Sequence, residues 1–199
     1  PGEVKLADSL AGELAVLKGN DGLVYAAWTE NKLSQDGYFM TDISFTSITS
    51  AGETTSIQSH MTPLKLSEGK YWGLALTQSD ERMVLGGYHR DISTGGTYKD
   101  LTSIFLLTSD YPTSSSDWSF TPNIIGEIEI NMNEAAPVVV EFGEEHTHIL
   151  YQSNRDDITG KERLGLWYAH GSSQQSSWTY RKAIGDTADM HMMSVKTID

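Results

Sequence analysis

The sequence contains no cysteine. That excludes disulfide staples, a thiolate nucleophile and cysteine-ligated zinc or iron–sulfur sites. Basic residues are scarce: 14 Lys and Arg stand against 27 Asp and Glu, a formal net charge of -13. This balance argues against a nucleic-acid binder, which needs clustered Lys and Arg to neutralise phosphates. An anionic membrane surface is disfavoured for the same reason. Long apolar runs are missing too, and none approaches the ~18 residues of a transmembrane helix. No basic segment followed by an apolar stretch opens the chain, so no signal peptide is visible, and secreted and cytoplasmic locations both stay open. Helical periodicity is nearly absent. These absences leave an uncharged or cationic partner and a fold built from strands.

What is present fits that remainder. An apolar fraction of 38% with 21% charged residues is the balance of a folded domain rather than a disordered chain. Apolar runs of five to nine residues, rich in Val, Ile, Tyr, Phe, Trp and Thr, recur between clusters of Gly, Ser, Asn and Asp. The predicted strands of a first unit are 13–17, 23–29, 38–45 and 54–60. A second unit has 71–77, 83–88, 101–108 and 118–125. A third has 137–142, 146–153, 164–169 and 178–184. Segment 190–197 resembles the first strand of a fourth unit, and 3–7 the last strand of a preceding one.

The expected fold is therefore all-β. It is a β-propeller-like array of about three four-stranded antiparallel blades in one domain spanning 1–199. The units are approximately 11–62, 68–126 and 135–185, with the start of a fourth at 189–199. A closed propeller needs about four to eight blades, so a homo-oligomer, or completion by another chain, is expected.

A diverged repeat supports the units. Residues 88–95 read Tyr-His-Arg-Asp-Ile-Ser-Thr-Gly, and residues 153–160 read Ser-Asn-Arg-Asp-Asp-Ile-Thr-Gly. Arg90 and Arg155 lie about 65 residues apart, close to one blade of four strands. A tryptophan follows each copy, Trp118 and Trp178. The first unit has Glu30-Asn31 where Arg-Asp would fall.

The third unit carries a family resemblance. Its segments Ala136-Pro-Val-Val-Val, His148-Ile-Leu-Tyr-Gln, Leu166-Trp-Tyr-Ala and Ser177-Trp-Thr-Tyr, within residues 136–184, resemble two kinds of propeller blade. One is the sialidase-like group with bacterial neuraminidase repeats. The other is the fungal fucose-binding lectins. The resemblance implies a propeller fold and a glycan partner. Where the fucose-lectin blade carries Arg on its second strand and Glu on its third, this chain has His148 and Leu166.

The chemistry-bearing residues follow from the repeat. Arg90-Asp91 and Arg155-Asp156 fall in second-to-third strand connections, which share one face of a propeller. Arg forks onto hydroxyls or carboxylates, and Asp accepts from paired sugar hydroxyls. Flat rings stack on the C–H faces of pyranoses. The expected carbohydrate-binding residues are thus Arg90, Asp91, Arg155, Asp156, Trp28, Tyr88, His89 and Trp167. Trp118 and Trp178, at recurring positions, read as packing rings. No metal site and no cofactor is expected, although His146 and His148 share a strand face near Glu144 and Glu145.

The leading functional expectation is a lectin with repeated, individually weak glycan sites. Two alternatives stand beside it. One is a glycoside hydrolase or sialidase-like enzyme using Asp91, Asp156 or Glu127 on the loop face. The other is a non-catalytic protein-interaction propeller. Motifs of nucleotide binding and of serine hydrolases are absent.

Overall fold

The computed structural model describes Lys5 and residues 11–33, 37, 39–54, 69–78, 82–91, 102–110, 118–128, 139–142, 147–153, 165–171 and 178–184. Among the described residues, eleven strands form three antiparallel meanders. The first sheet is β1 (Ala11–Lys18), β2 (Val24–Leu33) and β3 (Phe39–Ile48), in that order. The second is β4 (Gly69–Gln78), β5 (Met83–Asp91), β6 (Thr102–Ser109) and β7 (Ser119–Ile128). The third is β8 (Val139–Phe142), β9 (Thr147–Ser153), β10 (Gly165–Gly171) and β11 (Trp178–Ile184). The all-β, antiparallel expectation holds.

Three expectations change in detail. The fourth strand expected in the first unit is represented by Thr54, which turns back to bridge Ile48; residues 55–60 lie outside the described residues. The first sheet therefore has three strands among the described residues. Glu127, expected in a loop, lies inside β7, which runs to Ile128. Arg90 and Asp91 are the last residues of β5 rather than part of the following connection; they pair with Lys70 and Gly69. Pro122 sits in β7, the edge strand of its sheet, where a missing N–H costs the ladder least.

The sheets are layered. Ala27, Ile43 and Phe45 of the first sheet meet Tyr71, Leu85 and Phe105 of the second in one buried cluster. The far face of the second sheet is also covered: Trp72, Val84, Ile104 and Leu106 are buried there, and β8 packs against β4 and β5. A sheet buried on both faces reads as a near-continuous apolar run, as Leu85 and 104–107 do. On the third sheet Ile149, Tyr151 and Ala169 are buried, whereas His148, Leu150, Tyr168 and His170 on the alternate face are half-buried.

Two bulges lock the first sheet to the second. The β1–β2 register shifts between Ala11 and Leu14, and the β4–β5 register shifts between Trp72 and Ala75. Gly73 sits in the second shift with φ 64°, a conformation glycine adopts without a side-chain clash. A bulge withdraws backbone N–H groups from the ladder, and they need other acceptors. The Glu13 carboxylate, inside the β1 bulge, accepts from the N–H of Gly73 and of Leu74. The Glu13 N–H itself donates to Thr29 Oγ1 at 3.0 Å. Close by, Thr41 Oγ1 accepts from Tyr71 N–H at 2.5 Å and donates to its carbonyl at 3.0 Å. The β4 bulge also inverts the strand: Tyr71 faces the first sheet before it, and Leu74 and Leu76 do so after it.

The β1–β2 hairpin closes through Asn20-Asp21-Gly22, with Gly22 at φ 84°. Asp21 Oδ1 accepts from Leu23 N–H at 3.0 Å, and its Oδ2 accepts the Tyr25 hydroxyl at 2.5 Å. The Tyr25 hydrogen bond is the main cause holding the Asp21 carboxyl below its ordinary value.

Replacing Glu13 with Ala strands two backbone donors, so denaturant unfolding should show a loss of about 1–3 kcal/mol. The exposed neighbour change Leu14→Ala is the control and should cost far less. Equal losses would show that the carboxylate clamp contributes nothing. A second expectation concerns acid. Because the folded Asp21 is depressed, its contribution is present above the unfolded carboxyl value and fades as pH falls through the folded one. A carboxyl-carbon NMR titration should show Asp21 rising toward its ordinary value in Tyr25→Phe; an unchanged midpoint would remove the hydroxyl as the cause.

Candidate functional site

The register collects polar side chains at one end of the layered sheets. Thr41, near the start of β3, grips Tyr71, near the start of β4, so these two starts lie together. In antiparallel sheets the ends of β2 and β5 lie at the same end as those starts. Three cross-strand pairs stand there: Glu30 opposite Asp42, Lys70 opposite Arg90, and Tyr71 opposite His89.

The first pair consists of two carboxylates. Residues directly opposite on antiparallel strands hold their Cβ atoms about 4.5–5.5 Å apart, and like charges there are destabilising. Asp42 is nonetheless only 3% exposed. One of its oxygens accepts the Ile43 N–H at 2.8 Å. Glu30 is half-buried and accepts the Trp28 indole N–H at 2.8 Å. The second pair consists of two cations, both half-buried, in a chain that has few. On the same strand face lies Trp72, tilted against Tyr88 at 5.6 Å; its indole nitrogen is buried and lacks a hydrogen-bond partner. The third pair is a ring stack at 4.4 Å, with His89 5% exposed. A Cβ on Gly69 would meet His89 Nε2 at 2.5 Å, so the ring occupies space that only glycine leaves.

The three rungs share an end but not a face: Glu30 and Asp42 stand with Trp28 on the face of the first sheet turned away from the second, Tyr71 and His89 lie between the two sheets, and Lys70 and Arg90 stand with Trp72 on the far face of the second. Each charged rung offers acceptors or donors to a polyhydroxylated molecule, and a carboxylate pair can also do acid–base work on one.

The sequence-expected residues separate on this structure. Arg90, Asp91 and His89 stand at the polar end. Trp28 and Tyr88 are interior, 1% and 0% exposed, because β2 and β5 are covered where these rings stand. Rings without open faces cannot stack on a sugar arriving from solvent, so the platform role expected of them is corrected to packing. Trp118 packs edge-on against Phe45 at 5.0 Å, as expected of a packing ring. Trp167 stands opposite Tyr151 in the β9–β10 register. Glu127 opens no loop site, being within β7. Arg155, Asp156 and His146 lie outside the described residues.

Sequence reading missed Glu30, Asp42, Lys70 and Tyr71. Their signal is positional: each lies within a few residues of a strand end, but only the register shows which ends coincide. It also missed Tyr168 and His170, which join His148 across two strands.

No protein-family description matches the sequence, and no curated protein sequence matches it. Solved structures that are similar in chain path include a thermostable family-43 glycoside hydrolase, with TM-score 0.47 and 10% identity, covering 93% of this chain and 61% of that one. A levansucrase variant from B. megaterium gives TM-score 0.49 and 9% identity, over 93% of this chain and 52% of that one. An endo-1,4-beta-xylanase from Bacteroides thetaiotaomicron gives 0.46 and 10%, over 97% and 65%. The chain spans between 52% and 65% of the lengths of these three.

The corrected role of the interior rings is measurable. Trp28→Phe and Tyr88→Phe should each lower the thermal midpoint, through the loss of an indole hydrogen bond in one case and of a buried hydroxyl in the other. Neither should change affinity for any ligand of the polar end by more than about twofold at a temperature where the variant is folded. A large affinity loss with unchanged melting would restore them as binding rings.

Proposed function

We propose that this protein binds glycans at the end of its sheets where β4 begins. The observation that carries the reading is the Lys70–Arg90 rung, two half-buried cations on the strand face of Trp72 where β5 ends, with Asp91 next in the chain. Sugars present adjacent hydroxyls that both donate and accept, and an Arg-Asp pair at a strand end answers both halves of that pattern. The net charge of -13 favours neutral sugars over polyanions. On this reading the protein is a lectin on a propeller-like scaffold. Arg90-Asp91 and the repeated Arg155-Asp156 are its hydroxyl-binding pairs, and repetition adds avidity. Self-association, or completion by another chain, belongs to the same proposal, because it multiplies the sites.

A second reading rests on the Glu30–Asp42 pair. Glycoside hydrolysis uses two carboxyl groups roughly 5–10 Å apart, held in different environments. A buried Asp42 across from a half-buried, hydrogen-bonded Glu30 meets that description. Here the protein would cleave a glycosidic bond, with Asp91, Asp156 and Glu127 outside the catalytic pair.

A glycan array probed with the full chain, followed by calorimetry on its best hit, tests the proposal. Arg90→Ala and Arg155→Ala should each weaken binding several-fold without abolishing it, as expected for repeated sites. Asp42→Asn should remove all turnover of an aryl glycoside under the hydrolase reading, and should leave none to remove under the lectin reading. Absence of any hit above background, together with no hydrolysis, would sink both.

A further inference from the structure

The half-buried face of the third sheet carries a group of side chains that the glycan reading does not use. His148 of β9 stands directly opposite His170 of β10. Tyr168 lies two residues before His170, on the same strand face. The three rings pack as a set: His148 to Tyr168 at 5.9 Å and 25°, Tyr168 to His170 at 5.6 Å and 29°, and His148 to His170 at 6.1 Å and 22°. His148 Nδ1 is hydrogen-bonded to the Tyr168 hydroxyl oxygen at 2.6 Å. The register extends the rung on the other side, where Glu141 of β8 stands opposite His148. A carboxylate position, an imidazole and an imidazole thus follow one another across three adjacent strands.

We propose that this rung binds a divalent transition-metal ion of the zinc class, held by the two imidazoles of His148 and His170 with Glu141 as the third ligand. Three physical arguments support it. The first is reach. Two imidazoles sharing an ion through bonds of ~2.0–2.1 Å bring their ring centres to roughly 5–6 Å. The observed 6.1 Å lies just beyond the upper end of that range. The second is tautomer. When His148 Nδ1–H donates to the phenol oxygen of Tyr168, Nε2 carries the lone pair that a metal needs. A ligating histidine characteristically makes such a bond with its other nitrogen, which fixes the ring and raises its basicity. The third is donor type, since imidazole with carboxylate suits zinc, nickel and copper, whereas calcium and magnesium take oxygen donors. Among the described residues no group of three His, Asp or Glu side chains already converges. Glu141 enters by its register position alone.

Zinc sulfate titrated into the full, chelator-treated chain and followed by calorimetry tests the proposal. One ion per chain is expected. His148→Gln and His170→Gln should each weaken binding at least tenfold, and Glu141→Gln should weaken it by a smaller factor. Tyr168→Phe keeps the ring but removes the hydroxyl, and should weaken binding about tenfold, the size of effect expected of a hydrogen-bonded positioning partner. His146→Gln should leave binding unchanged, which separates this rung from the pair His146 and His148 on one strand. Should any variant fail to fold, the unmodified protein still decides: zinc should shift the ring resonances of His148 and His170 in NMR and leave those of His146 and His89 in place. No saturable binding, or binding that follows His146 instead, overturns the proposal.

Discussion

The fold depends on one carboxylate answering two backbone donors. The bulge at Gly73 takes N–H groups of β4 out of their ladder, and the bulge in β1 places Glu13 where it can receive them. Each distortion alone would be a defect. Together they form a joint between sheets, reinforced by the double hydrogen bond of Thr41 with the Tyr71 backbone. Hydrophobic contact between sheets is non-directional and tolerates sliding; these hydrogen bonds fix the sliding coordinate. Because β4 meets the first sheet on one side and β8 of the third on the other, the position of β4 sets the position of every layer.

The polar end is a consequence of that fixed position. With the start of β3 set against the start of β4, the Glu30–Asp42, Tyr71–His89 and Lys70–Arg90 rungs cannot drift apart. Like-charge rungs are costly in isolation. The two like-charge rungs sit on opposite outer faces of the sheet pair, so neither offsets the other directly, and hydrogen bonds from Ile43 and Trp28 support the carboxylates. Between them lie Thr41 and the Tyr71–His89 stack.

Strand existence was legible in the sequence because period-two alternation and Gly-Asn-Asp turns are local signals. The third sheet's β11 matches its expected bounds, 178–184, and most other strands differ only at their ends. Site assignment was less legible. The repeated Arg-Asp pair drew Trp28 and Tyr88 into the expected site, because both lie near ends of second strands. Burial of those rings depends on which face a neighbouring sheet covers, and no local pattern records that. Asp42 was invisible for the converse reason: a lone Asp within Thr-Asp-Ile-Ser looks like a solvent-facing strand position, and its burial is not recorded in any local pattern.

The inverted half of β4 has a further consequence, for kinship between the units. Before Gly73 the odd-numbered residues face the first sheet, and after it the even-numbered ones do. A strand that runs without such a shift keeps one parity facing inward along its whole length, so an ungapped superposition of it on β4 would match inward positions in one half and oppose them in the other. One extra residue thus puts two related strands out of phase. Descent of the units from a common ancestor would be hidden from letter-by-letter comparison while remaining visible in the pairing of their backbones.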